Sequence, residues 1–178
     1  KLTLENEVDM GDKPNNTLYL GDGAELVIQN LGKSPYDIKK PGWRLETQGS
    51  ATLRMQGDSE CSWYGPIHLG GALAFYGRKH KYTFRGPISG PGRIVVNSPE
   101  DHPAMPLCYF DNRTATPNSY EGSFTLTRGT INFTGISGIP SLAEGGFSAS
   151  RGTSVSMQAV ESDTISDEKL FGIWKTVS

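Results

Sequence analysis

Helical signal is almost absent from this chain. No window of its 178 residues sustains apolar residues at i, i+3, i+4 and i+7. Charge of one sign is lacking too. Seventeen basic against 19 acidic residues leave a net charge of −2, which gives no electrostatic case for nucleic acid or for an anionic membrane surface. Apolar runs stay short, and none approaches the roughly 18 residues that a membrane helix needs. No direct membrane insertion is therefore expected of this segment. No charged-then-apolar leader opens the chain, which begins in one strand-like run and ends in another over 170–177. It reads as a piece of a longer, already processed protein. Cysteine is scarce. Cys61 and Cys108 fit no metal or redox spacing, and the three histidines, His68, His80 and His102, follow no metal-ligand spacing either. No cofactor or metal is expected. A disulfide and two buried free thiols both stay open for the cysteines.

What the chain has instead is glycine, proline and alternation. Gly 22 and Pro 11 are high counts for this length. Apolar-x-apolar pairs recur at Leu26/Ile28, Leu53/Met55, Leu73/Phe75, Ile94/Val96, Ile131/Phe133 and Val155/Met157. Successive pairs lie 27, 20, 21, 37 and 24 residues apart. Each has an upstream companion: Leu18/Leu20, Leu45/Thr47, Ile67/Leu69, Ile88/Gly90, Phe124/Leu126 and Phe147/Ala149. Glycine lies between nearly every companion and its pair, so the unit reads strand, glycine-bearing bend, strand, longer connection. A period in the twenties with short strands is the mark of a coiled β-solenoid, in which stacked coils bury a common apolar column. The fold expected is therefore all-β: a single β-solenoid domain over 1–178 with about six coils. Leu53, Leu73, Ile94, Ile131 and Val155 would form its spine, and 98–118 would be an inserted loop. An antiparallel β-sandwich, whose strands also alternate, is the alternative. Outward positions are mostly polar: Glu25, Val27 and Gln29; Thr52, Arg54 and Gln56; Ser123, Thr125 and Thr127; Ser154, Ser156 and Gln158.

Three motifs stand in sequence over about 50 residues. Gly86-Pro87-Ile88-Ser89-Gly90-Pro91-Gly92-Arg93-Ile94 comes first. Asn118-Ser119-Tyr120-Glu121-Gly122 and Gly129-Thr130-Ile131 follow. Together they resemble the passenger-associated strand repeat of autotransporter-type surface proteins. The resemblance implies a right-handed parallel β-helix in a secreted or cell-surface bacterial protein, and it carries over no catalytic residues.

Candidate chemistry is thin. The 98–118 segment holds Glu100, Asp101, His102, Cys108, Asp111 and Arg113, but no spacing binds them into a motif. Asp58 and Glu60 form a second carboxylate pair in a turn, near the outward Arg54 and Arg93. Under an enzymatic reading, a carbohydrate-active hydrolase or lyase (or a peptidase) would draw on Asp58, Glu60, Glu100 and Asp111. Under a binding reading, aromatic faces stack on sugar rings. Alternation turns Tyr64 and Tyr76 outward and places Trp63 on the core side. The contact set is then Trp63, Tyr64, Tyr76, Arg54, His102 and Arg113. Arg78-Lys79-His80-Lys81 reads as a solvated basic bend. Three Asn-x-Thr triplets begin at Asn15, Asn112 and Asn132. The favoured function is a non-catalytic structural and interaction segment that meets a glycan or a host or cell-surface protein, not nucleic acid. A trimeric fibre segment is a third reading, which predicts a large threefold interface.

Overall fold

The structure is a computed structural model that describes residues 1–5, 16–30, 36–38, 43–57, 61–77, 81–97, 107–112, 116, 118–134 and 146–158. All its described regular elements are strands. In chain order they are β1 (Leu2–Glu5), β2 (Thr17–Leu20), β3 (Glu25–Asn30), β4 (Tyr36–Ile38), β5 (Arg44–Thr47) and β6 (Ala51–Gly57). Next come β7 (Cys61–Trp63), β8 (Ile67–Leu69), β9 (Leu73–Gly77), β10 (Lys81–Phe84), β11 (Ile88–Gly90) and β12 (Ile94–Asn97). The last are β13 (Leu107–Phe110), β14 (Ser119–Tyr120), β15 (Phe124–Leu126), β16 (Thr130–Thr134), β17 (Phe147–Ala149) and β18 (Ser154–Gln158).

The strands form three sheets. Sheet I runs β1-β3-β6-β9-β12-β15-β17, sheet II β4-β7-β10-β13-β16-β18, and sheet III β2-β5-β8-β11-β14. Every pairing is parallel. The chain passes III, I, II and returns to III one level on, so the fold is a parallel β-solenoid. A sandwich is excluded, since it needs antiparallel ladders. Complete turns follow one another as β2–β4, β5–β7, β8–β10, β11–β13 and β14–β16, with β1 before them and β17–β18 after. Six coils was a loose count, since the three sheets hold different numbers of strands.

Alternation decides what lies inside. Each strand turns every second side chain into the space between the sheets. Sheet I contributes the columns Leu26–Leu53–Phe75–Val96–Leu126 and Ala51–Leu73–Ile94–Phe124–Phe147. Sheet II contributes Tyr82–Cys108–Ile131–Val155 and Trp63–Phe84–Phe110–Phe133. Sheet III adds Leu18–Leu45–Ile67–Ile88. Within sheet II, Phe84, Phe110 and Phe133 stack with centroids 5.4 Å apart at each step. Such pairs contribute about 0.5–1.5 kcal/mol each beyond the area they bury.

The expected spine needs correction. Leu53, Leu73, Ile94 and Ile131 are fully buried and Val155 packs against them, but the five do not share one column. Ile131 and Val155 belong to sheet II, and Leu53 lies beside Phe75 rather than Leu73. An inward pair looks the same in sequence on all three sheets, and the 37-residue step marks the passage from sheet I to sheet II. The 98–118 segment is not loop throughout. Leu107–Phe110 is a strand of sheet II, and Cys108 and Phe110 are core residues. The strand expected over 170–177 lies outside the described residues.

At two corners the backbone itself is the packing surface. A β-carbon placed on Gly122 would lie 1.6 Å from the Gly92 carbonyl oxygen, and one on Gly92 would lie 1.9 Å from that of Gly71. These glycines sit one above another between sheets III and I. Gly65 and Gly86 form a matching step between sheets II and III, where a β-carbon on Gly86 would lie 2.1 Å from the Gly65 carbonyl oxygen. No side chain fits without moving a whole coil.

The motif Asn118-x-Tyr120-x-Gly122 has a physical meaning here. In earlier coils the sheet III amide at the level of the Leu45–Ile67–Ile88 column donates to a proline carbonyl: Leu45 to Pro66 and Ile67 to Pro87, both at 2.9 Å. At the next coil the Ile88 amide donates to Asn118 Oδ1 at 2.9 Å instead. Asn112 Nδ2 also donates to Asn118 Oδ1, at 3.0 Å, and to the Thr116 carbonyl, at 2.8 Å. A side-chain amide thus replaces a ladder carbonyl where the chain returns from its excursion. Tyr120 then fills the space opposite Gly90, whose φ of +101° favours glycine. Gly122 closes the corner.

Two predictions follow from this packing. Gly122→Ala lowers stability by about 2–4 kcal/mol, whereas Gly21→Ala, with open space around it, stays within about 0.5 kcal/mol. Urea melts of the two variants check the contrast. The second concerns the cysteines. Cys61 and Cys108 both pair with Tyr82, from opposite sides. Their Cα atoms are two strand spacings apart, about 9.5 Å, beyond the roughly 7 Å a disulfide spans. A thiol assay in denaturant without reductant therefore counts two free thiols, and Cys108, fully buried with its thiol pKa pushed up by desolvation, stays silent in the native protein.

Candidate interaction surface

Outward side chains form columns as regular as the inward ones. On sheet III, the shortest-stranded face, Tyr19, Glu46, His68, Ser89 and Ser119 stand one per coil. Tyr19 is 59% exposed. His68 Nδ1 and Ser89 Oγ are hydrogen-bonded at 3.1 Å. The pair has the first contact of a base and a nucleophile, with Glu46 one strand further on. No hydrogen bond or ion pair joins Glu46 to His68 among the described residues, so the third member of a relay is missing. The contact is a cross-strand polar pair.

On sheet I the outward columns are Glu25–Thr52–Ala74–Val95–Thr125–Ser148 and Thr3–Val27–Arg54–Tyr76–Asn97. Val27 holds an outward position yet is fully buried. Arg54 Nε donates to Glu25 Oε1 at 2.7 Å, and Lys1 Nζ lies 3.7 Å from Glu25 Oε2. The Arg54 guanidinium carbon also sits 5.2 Å from the centre of the Tyr76 ring. Partners two to three dozen residues apart in sequence meet because each is one coil from the next.

The same construction recurs at the corner between sheets II and III. Arg85 lies over the Tyr64 ring, 5.5 Å from its centre, and Arg85 Nη1 donates to Asp111 Oδ2 at 2.5 Å. Both expected tyrosines are therefore half-buried platforms already engaged by an arginine. Asp111 is buried and ion-paired, so it is poorly placed as an acid or base that must reach a substrate. Trp63 is 0% exposed. Its indole fills the core and offers no face to a sugar, which removes it from the contact set. Arg54 stands on the surface as expected, but ion-paired. Asp58, Glu60, Glu100, His102 and Arg113 lie outside the described residues. Asn112 is buried and its amide is used twice, so the folded protein does not present it for glycosylation.

Two features escaped the sequence reading. The Arg85–Asp111 pair spans 26 residues, and only the coil offset could have suggested it. Tyr19 sits in an apolar-x-apolar companion pair whose outward member went unread. No family model matches this chain, and no curated protein or solved structure does so either.

The Glu25 carboxyl is held below the usual carboxylate range, chiefly by its hydrogen bond from Arg54, with burial opposing the shift. A lowered folded-state pKa contributes stability that is complete above the unfolded-state value and is lost as pH falls through the lowered one. The side chains are a quarter to a third exposed, so solvent screening keeps that contribution small. Arg54→Met raises the Glu25 pKa toward its ordinary value, which a carboxyl-carbon NMR titration of wild type and variant checks.

Proposed function

We propose that this chain is a non-catalytic interaction segment of a bacterial cell-surface or secreted protein, presenting flat polar strand faces to a glycan or to a protein. The observation that carries this reading is the outward surface. Polar and charged side chains recur along its described columns over a parallel ladder, with Val27, Ala74 and Val95 as aliphatic exceptions. The one described carboxylate of the acid–base set, Asp111, is occupied by Arg85. A rigid ladder pre-pays the ordering of its surface groups, which favours binding through many modest polar contacts. The bacterial surface setting rests on the motif resemblance. Asn118, Tyr120 and Gly122 each have a structural task, and a repeat that carries only a scaffold needs no more than that.

The test is a glycan-array and surface-protein binding screen on the chain, run beside a reducing-sugar release assay on the same glycans. Binding without turnover is expected. Sugar release that disappears in an Asp58→Asn/Glu60→Gln variant overturns the reading in favour of a carbohydrate-active enzyme.

A further inference from the structure

Four described arginines have no carboxylate within ion-pair distance among the described residues: Arg44, Arg93, Arg128 and Arg151. The ion pairs formed there engage Lys1, Arg54 and Arg85. Two of the four share a corner. Arg128 follows β15 and Arg151 follows β17, both where sheet I turns into sheet II. The Ser150 amide donates to the Leu126 carbonyl at 2.9 Å and the Ser154 amide to the Gly129 carbonyl at 3.1 Å, so the two turns are stacked. Gly129 and Gly152, with φ of +110° and +84°, bend the chain just after each arginine. The two turns are thus about one strand spacing, ~5 Å, apart. Arg128 is half-buried and Arg151 exposed.

No aspartate or glutamate occurs in residues 122–134 or 146–158. Two like charges on stacked turns, with no carboxylate in either of these described stretches, favour an anion. The ridge is flanked by hydrogen-bonding groups already aligned across coils. Thr125 and Ser148 hydroxyls lie 3.3 Å apart on sheet I, and Asn132 Nδ2 donates to Ser156 Oγ at 2.9 Å on sheet II.

We propose that this corner binds an acidic polysaccharide. Its carboxylates pair with the guanidiniums of Arg128 and Arg151 on the two stacked turns, and its ring hydroxyls exchange hydrogen bonds with the serine, threonine and asparagine flanks. The guanidinium fork matches a carboxylate in two bonds. A nucleic acid is a poorer fit, because it needs a longer track of cations and exposed aromatic platforms. The described aromatics of these coils, Tyr120, Phe124, Phe133 and Phe147, are all buried. This inference rests on the surface-binding reading above and names the ligand class for one part of that surface.

The test is affinity electrophoresis of the whole chain through gels containing polygalacturonate, dextran or a sulfated dextran, at low and at physiological salt. Polygalacturonate is expected to retard the protein at low salt, and dextran is expected not to. An R128Q/R151Q variant should bind at least about tenfold more weakly. An R44Q/R93Q variant, with the same charge change elsewhere, should bind as wild type does. Equal retardation of wild type and R128Q/R151Q overturns the proposal, as does no retardation of wild type by polygalacturonate. Retention by sulfated dextran but not by polygalacturonate overturns the carboxylate assignment, and equal retention by single-stranded DNA overturns the glycan assignment. Unchanged thermal melting of both variants shows that the fold is intact. A neutral glycan or a protein bound equally by wild type and R128Q/R151Q removes the ridge and leaves the surface reading standing. Absence of any glycan or protein ligand removes that reading itself.

Discussion

Carbonyl oxygens at the bends of one coil point at the α-carbons of the next. That contact sets the terms for the rest of the molecule. Parallel ladders hold successive coils one strand spacing apart, and Gly71, Gly92 and Gly122 meet the carbonyl below them at distances that leave no place for a β-carbon. Because the bends cannot spread, the strands between them keep a fixed length and phase. Fixed phase sends Leu73, Ile94 and Phe124 inward together, and it sends Glu46, His68 and Ser89 outward together. Core and surface are two readings of the same alternation.

Much of this was legible in the residues, and the reason is the shortness of the strands. With two to seven residues per strand, one apolar-x-apolar pair fixes which way every side chain points. Trp63 was placed inward, and Tyr64 and Tyr76 outward, on that ground alone. What alternation lacks is a label for the sheet. Ile131/Phe133 carries the same signature on sheet II as Ile94/Val96 carries on sheet I, so two columns merged into one. Leu107–Phe110 was hidden for a different reason. Pro103 and Pro106 and a run of charges just before it read as loop, although Cys108-Tyr109-Phe110 continues the alternation of Tyr82-Thr83-Phe84. The surface pairs were the least legible of all. Arg54 with Glu25 and Arg85 with Asp111 lie far apart in sequence, and no local spacing rule reaches that distance.

Chemistry on such a surface is assembled between coils rather than within them. An arginine finds an aromatic ring on one side and a carboxylate on the other because three successive coils supply one member each. Charges that find such neighbours are settled, whereas Arg128 and Arg151, on stacked turns, have no carboxylate partner among the described residues. The described surface thus holds both charges with complementary neighbours on adjacent coils and charges without them.

The amide bridge from Asn112 to Asn118 carries a consequence of its own. It restores the lost ladder acceptor at Ile88 from a side chain, where the chain re-enters sheet III. Only five residues separate the two asparagines, and the carbonyl of one of them, Thr116, is held by Asn112. The return into sheet III is thus fastened by side chains where earlier coils use the backbone alone, and the frame at that level depends on two particular amides.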